Sequence, residues 1–275
     1  MNLDQIRSNR LLKRAVKSAL KSFNLELTGY GTSDELRSAV RARSDIEFLR
    51  TMCDPEANPS SSQHFHHFLE YLPKSQSQYR QDLFVLSQLD FTNGGFFVEF
   101  GATDGIGLSN TYLLEKEFGW TGILAEPART WHTALRSNRT ATIETRCVWK
   151  DSDSMLDFNE VDNAGLSTIA SYSDIDLHQP ARRHGTAYTV ATISLSDLLE
   201  KHNAPKVIDF LSIDTEGSEF EILSSFDFSK HSFRVITCEH NHTPMRGEIF
   251  KLLTDNGYRR VFPEISFNDD WYVTQ

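Results

Sequence analysis

Two short polar runs carry the groups best able to activate a nucleophile: Asp214-Thr215-Glu216-Gly217 and Glu239-His240-Asn241-His242. Each closes an apolar stretch, residues 207–213 and 233–238, so each sits at the tip of an expected strand. An alcohol is far too weak an acid to ionise unaided near neutral pH, so a side chain has to take its proton. His240 can act as that general base if a neighbouring carboxylate keeps it basic. Alternatively Asp214, Glu239 and His240 hold a divalent metal that acidifies a bound hydroxyl, and hard oxygen donors favour magnesium or manganese. A plainer reading has these groups binding substrate or closing a helix end, for which Asp214 is a good N-cap residue.

A second cluster lies upstream. The run Phe96-Phe97-Val98-Glu99-Phe100 breaks at once into a loop with glycines at 101, 105 and 107, and a helical pattern follows from about Ser109. Strand, glycine turn and helix are the first unit of a nucleotide-binding α/β sheet. A carboxylate inside such a strand needs a partner, because burying an unpaired charge is costly. The next strand ends in Glu126, twenty-one residues after Gly105, where an acid can accept hydrogen bonds from both ribose hydroxyls of an adenosine ligand. Gly105-Ile106-Gly107-Leu108-Ser109-Asn110 nearly spells the dinucleotide fingerprint GxGxxG. Asn110 stands where its third glycine belongs, the fingerprint's glycines begin too late, since Gly101 already follows the strand directly, and Glu99 has no counterpart in it. A strand acid followed by E-x-G-x-x-x-G suits S-adenosylmethionine, which has no pyrophosphate to seat. On that reading Glu99 organises the loop toward the ammonium group, and Ser109 and Asn110 offer polar contacts near the methionine tail. A nicotinamide-dependent oxidoreductase and a noncatalytic nucleotide-binding module remain the alternatives.

The elements that must position these groups alternate in period from Phe96 onward. Strand-like runs occupy residues 96–100, 122–125, 143–149, 207–213 and 233–238, with helical patterns such as SLSDLLEKHN and GSEFEILSSF between them. That alternation predicts a mainly parallel sheet with helices on both faces. Residues 258–263 and 271–274 read as an antiparallel hairpin at the sheet edge, and residues 79–89 as a helix. Residues 150–188 are polar, fit no period and are a candidate lid. Their Arg182, Arg183 and His184 are read as a solvated charge run, with contact to an acidic sugar or phosphate as the alternative. His64, His66 and His67 are read as surface residues.

Upstream, LLKRAVKSALKSF places Leu, Val and Ala on one face and Lys on the other, as a docking or dimer helix does; a homo-oligomer through this segment is one expectation. Residues 54–62 (DPEANPSSS) are the best linker. The organisation expected is an N-terminal helical extension over 1–74 and a single α/β domain over 75–275. Of 275 residues 39% are apolar, with 19 Phe and 4 Trp, enough for a sizeable core. A net charge of −10, from 28 basic and 38 acidic side chains, disfavours nucleic acid as a partner. No run is long enough for a membrane span, and the first residues lack a secretory apolar core. Cys53, Cys147 and Cys238 are too few and scattered for a disulfide frame, which points to the cytoplasm.

Several separated blocks also resemble a known family. SQSQYRQDLFVL, VEFGATDGIGLSNTYLLEKEFGWTGILAEP, IDFLSIDTEGSEFEILSSFDF and ITCEHN occur in the order found in FkbM-type methyltransferases, and the resemblance spans residues 75–274. It implies a class I, Rossmann-like seven-stranded fold and an S-adenosylmethionine-dependent enzyme, most often one that O-methylates a sugar or natural product. It implies cofactor contacts at Glu99, Gly101, Asn110 and Glu126, with Cys147 and Val148 lining the adenine pocket. Ala102, Asp104 and Asp214 complete the expected cofactor set, and His240 and Asp214 the catalytic pair. The acceptor is then a small molecule or glycan.

Overall fold

The computed structural model describes residues 33–54, 61–161, 164–173, 182–183 and 185–275. The amphipathic segment LLKRAVKSALKSF and most of the expected linker lie outside the described residues. Two compact units are present, Met1–Ser44 and Asp45–Gln275. The boundary expected near residue 74 thus falls inside the larger unit. Its cause is apolar: Phe48 and Met52, on helix α1 (Ser33–Met52), and Phe68, on α2 (Ser61–Tyr71), are buried in the same core as Leu83 and Phe84 of α3 (Gln81–Gln88).

A seven-stranded sheet organises the larger unit. Its strands are β1 (Phe96–Phe100), β2 (Thr121–Ala125), β3 (Thr142–Glu144), β8 (Val207–Ile213), β9 (Ser232–Glu239), β10 (Tyr258–Val261) and β11 (Asp269–Thr274), in the order β10-β11-β9-β8-β1-β2-β3. Strands β3, β2, β1, β8 and β9 run parallel, and β11 is antiparallel to both of its neighbours. The expected terminal hairpin is present, with β10 at the edge and β11 one place inside it. Alternate side chains divide between two cores, as a period of two requires. Phe97, Leu124, Phe210 and Trp271 face α3 and α4 (Tyr112–Phe118). Val98, Ile123, Leu211 and Ile236 face α6 (Leu195–Lys201), α7 (Glu219–Ser224) and α8 (Met245–Asp255).

Chain order reverses at β1: β2 and β3 extend the sheet one way, β8 and β9 the other. Ligands of open parallel sheets bind beyond the carboxyl ends of the strands at such a switch point. The register aligns those ends. Phe100 pairs with Ala125 and with Ile213, and Ile213 pairs with Cys238. The residues that follow, Glu126, Gly101, Asp214 and Glu239, therefore form one row along the rim.

Two expectations are corrected here. The run 143–149 is two strands, because the Glu144 carboxylate accepts the backbone N–H groups of Thr145 and Arg146 and turns the chain. After that turn β4 (Cys147–Trp149) leaves the main sheet. It joins β7 (Thr186–Ser194), β5 (Met155–Glu160) and β6 (Thr168–Ile169) in a second sheet ordered β4-β7-β5-β6. Residues 150–188 are thus not structureless throughout. β5 and β7 pair antiparallel from Met155–Ala191 to Glu160–Thr186, and Phe158, Ile169, Val190 and Trp149 close a small core of their own. Sequence pattern missed β5 because MLDFNE buries a single side chain, Phe158.

Candidate active site

The loop after β1 is built around Glu99. Its Oε1 accepts the Asn110 backbone N–H at 2.7 Å, and its Oε2 accepts the hydroxyls of Thr111 at 2.5 Å and Ser109 at 3.0 Å. Arg139, which follows α5 (His132–Asn138), supplies the countercharge: its guanidinium is fully buried, 3.7 Å from Glu99 and 2.8 Å from Glu115. It also donates to the Gly105 carbonyl and to Ser109 and Thr111. The strand acid thus has the partner its burial demands. Gly101 needs to be glycine for two reasons. Its φ is +74°, and a Cβ there would stand 2.1 Å from the Asp214 carbonyl oxygen.

A cavity of about 300 Å³ opens over the rim. Glu99, Gly101, Asn110, Glu126, Cys147, Val148 and Asp214 all line it, seven of the nine expected cofactor residues. The other two do not. Ala102 is buried behind the loop, and Asp104 turns away to accept the N–H groups of Ile106 and Gly107. Glu126 accepts N–H groups from Thr103 and Ala128, and burial nevertheless pushes its carboxyl up to about 7. Asn110 donates to Ser212 while its Oδ1 is buried without a partner. The second sheet contributes Phe158 and Ile169 to the opposite wall, and Cys147 is an inert thiol there, pushed up to about 12 by burial and by Glu126. Unspent acceptors on Glu126 and on Asn110, with Val148, Phe158 and Ile169 as apolar lining, fit an adenosine bearing an amino-acid tail.

At the acceptor end Asp214 and Glu239 come together as expected, and with Glu216 they bring three carboxylates within 4.8 Å of one another. The Asp214 and Glu239 carboxyls share a hydrogen bond. Asp214 is exposed to the open cavity, yet desolvation by the surrounding protein raises its carboxyl to about 6; burial, with repulsion from Asp214 and Glu216, holds Glu239 well above the usual carboxylate range. Glu216 has a φ of +59° and is held by Arg182, whose Nη2 donates to its Oε2 at 2.7 Å, and by Asn241. Arg182 is therefore a buried structural cation and not a solvated one; His184 lies outside the described residues. Asp214 is no helix cap. Glu219, in the first turn of α7, accepts from Thr215 and Gly217 and shapes the loop.

His240 departs from expectation as both base and metal ligand. It does not line the cavity: its ring is buried, Nδ1 accepts the His242 N–H at 3.0 Å, and Nε2 faces Asp270 at 3.8 Å. Burial lowers the imidazole to about 4, so it is neutral with its one lone pair occupied. Asp270 itself is tied to Arg246 and Arg260. His64 likewise is not a surface residue; it is buried, with Nε2 3.1 Å from Asp90. Sequence reasoning missed Arg139, Phe158, Ser212 and Glu219 and misread Arg182 as solvated, and for the two arginines no spacing signal exists, since each is isolated in sequence from its partners.

Sheet order, switch point and loop define a Rossmann-like class I methyltransferase. The profile described as "Methyltransferase FkbM domain" matches residues 99–260, more than half of the chain, and the protein belongs to that family of S-adenosylmethionine-dependent methyltransferases. Solved structures are similar at low identity. The methyltransferase FkbM of Methylobacillus flagellatus KT is 13% identical with a TM-score of 0.43 over 85% of this chain, and this chain spans 58% of its length. The precorrin-6y C5,15-methyltransferase of Geobacter metallireducens GS-15 is 12% identical with a TM-score of 0.38, covering 70% of this chain and 85% of that one. A TehB-like SAM-dependent methyltransferase of Corynebacterium glutamicum is 7% identical with a TM-score of 0.36, over 79% and 100%. No curated protein matches the sequence. The dinucleotide alternative falls with the family. No described helix is long and apolar enough to cross a membrane.

Proposed function

We propose that the enzyme transfers the methyl group of S-adenosylmethionine to a hydroxyl of a sugar, a glycan or a glycosylated small molecule. The observation that carries this is the rim row itself. Glu126 and Gly101 hold the cofactor end, and Asp214 and Glu239 stand next in register, where a hydroxyl facing the methyl group can give up its proton. In this reading Cys147, Val148 and Phe158 receive adenine, Glu126 takes the ribose hydroxyls, and the Glu99 loop with Asn110 positions the methionine tail. Asp214 replaces His240 as general base. Its carboxylate accepts the hydroxyl proton, the C–O bond forms as the C–S bond breaks, and the electron pair stays on sulfur.

The lining limits the acceptor. Five carboxylates (Glu99, Glu126, Asp214, Glu216 and Glu239) line the cavity, and none of its described lining residues is Lys, Arg or His. A phosphorylated or uronic acceptor would meet like charge, so the acceptor is neutral or cationic. Three free cysteines accord with a cytoplasmic site of action.

The test pairs calorimetry of S-adenosylhomocysteine with methyl transfer to a panel of neutral, amino and uronic glycosides. Asp214→Asn should retain S-adenosylhomocysteine and lower kcat by roughly 10²–10⁴-fold, the ordinary worth of a general base. Absence of product binding in the parent, or transfer only to amines with Asp214→Asn unimpaired, would overturn the assignment.

A further inference from the structure

Two large apolar side chains at the mouth of the cavity carry costs that binding the cofactor does not explain. Leu108 lines the cavity, yet 61% of it is exposed and its φ is +60°. Phe267 is 40% exposed at a φ of +53°. Bulky residues seldom hold the left-handed region, and where they do the surroundings enforce it. Neither residue belongs to a hydrophobic core. Leu108 is fixed by a β-bridge to Ser77, and Phe267 stands against the Tyr79 ring with 4.9 Å between centroids.

Polar groups flank the same surface. Gln78 and Asn268, chain neighbours of Tyr79 and Phe267, both line the cavity. The Gln78 amide donates to the Tyr79 hydroxyl at 2.9 Å, and the Asn268 amide has no hydrogen-bond partner among the described residues. The two segments are tied down. Gln81 accepts the Tyr79 N–H and donates to Asp269, and the Asn268 carbonyl accepts the His240 N–H. Burial, then the charges of Asp269, Glu239 and Asp214, pushes the Tyr79 phenol up to about 12, so it stays protonated and lies toward the acceptor end. A cavity of about 300 Å³ is at the lower end of what a single ligand fills, so with the cofactor in place the acceptor has to rest on this mouth. A pyranose ring presents C–H groups on a face and hydroxyls around its edge. Apolar surface flanked by amides complements both.

We propose that Leu108, Tyr79 and Phe267 form a subsite for the C–H face of a neutral pyranoside, with the Gln78 and Asn268 amides taking hydroxyls at its edge. The inference rests on the reading of this cavity as the methyl-transfer site and adds that the acceptor is held by a ring face, not by charge.

The sample is the full chain saturated with S-adenosylhomocysteine. Saturation-transfer NMR is run with methyl β-D-glucopyranoside, methyl α-D-mannopyranoside and methyl α-L-rhamnopyranoside, and with D-glucitol, which has the hydroxyls but no ring face. Irradiating the protein should mark the ring C–H protons of at least one glycoside and leave glucitol unmarked. Phe267→Gly and Leu108→Gly remove the surface while relieving the left-handed backbone. Each should weaken that glycoside about tenfold or more, keep S-adenosylhomocysteine affinity within a few-fold, and leave Tm unchanged or higher. Equal glycoside binding by the parent and both variants overturns the subsite. So does glucitol marked as strongly as the glycosides, or no glycoside marked while S-adenosylhomocysteine binds. A lower Tm in both variants with glycoside affinity kept would overturn it as well, by making the two residues structural. Failure of the parent to bind S-adenosylhomocysteine removes the methyltransferase reading and the subsite with it, whereas every other outcome leaves that reading standing.

Discussion

At the scale of single residues, Glu126 is pulled two ways by one proton. Its folded value of about 7 lies above the ordinary 4.5, so folding favours the protonated form. That contribution is complete below pH 4.5 and is lost as pH rises through 7. Ribose hydroxyls favour the opposite form, since they donate to a carboxylate. Affinity for S-adenosylhomocysteine should therefore rise about tenfold between pH 6 and pH 8, while Tm falls over the same interval. Calorimetry and thermal melts of Glu126→Gln should show both slopes flattened, and a slope unchanged in the variant would remove Glu126 from the ribose. His240 gives the complementary case. Because its lone pair already receives the His242 N–H, His240→Asn, which keeps an acceptor there, should leave kcat within tenfold and the pH–rate profile unmoved. A fall of 10² or more with loss of the acid limb would reinstate it as base. Glu99, Glu126 and Asp214 were legible in the sequence because each ends or interrupts an apolar run. His240 shared that position and misled, because a strand tip fixes where a residue lies but not which neighbours occupy its ring.

At the scale of elements, the glycine loop depends on a residue that no local pattern reveals. Gly105 reads in sequence as a turn glycine, and its φ of +82° agrees. Its other reason is Arg139, whose Cγ would lie 2.6 Å from a Cβ at that position. Arg139 in turn holds Glu115 down to about 2, since the Thr140 N–H, Lys116 and Arg139 together outweigh the burial that would raise it. Arg139→Met leaves Glu99 buried without its cation and Glu115 with Lys116 alone, and denaturant unfolding should register a loss of about 3–5 kcal/mol. A loss below about 1 kcal/mol would place the pair among weak surface contacts. The main strands were legible because their apolar runs are long and bounded; the second sheet was not, because its alternation is half polar and its pairing joins residues 155–160 to 186–191 across a long insertion. The cofactor's near wall could thus be read from the sequence and its far wall could not.

At the scale of the whole molecule, the question is where the folding unit begins. Resemblance starts at residue 75, but a family pattern follows the site and need not follow the core. Phe48, Met52 and Phe68 are each at most 2% exposed within the main cluster, and the buried Arg80 pairs with Asp45 at 2.7 Å. Each buried apolar side chain is worth about 1.5–3 kcal/mol, and an unpaired buried arginine adds a further cost. Their sum is comparable to the whole stability of an ordinary domain. A chain of residues 45–275 should therefore melt cooperatively and bind S-adenosylhomocysteine. One of residues 75–275, which keeps every rim residue, should fail to give a cooperative melt by calorimetry. If the shorter chain melts within a few degrees of the longer one, α2 and the end of α1 are appendages, and the core that positions the rim begins at α3.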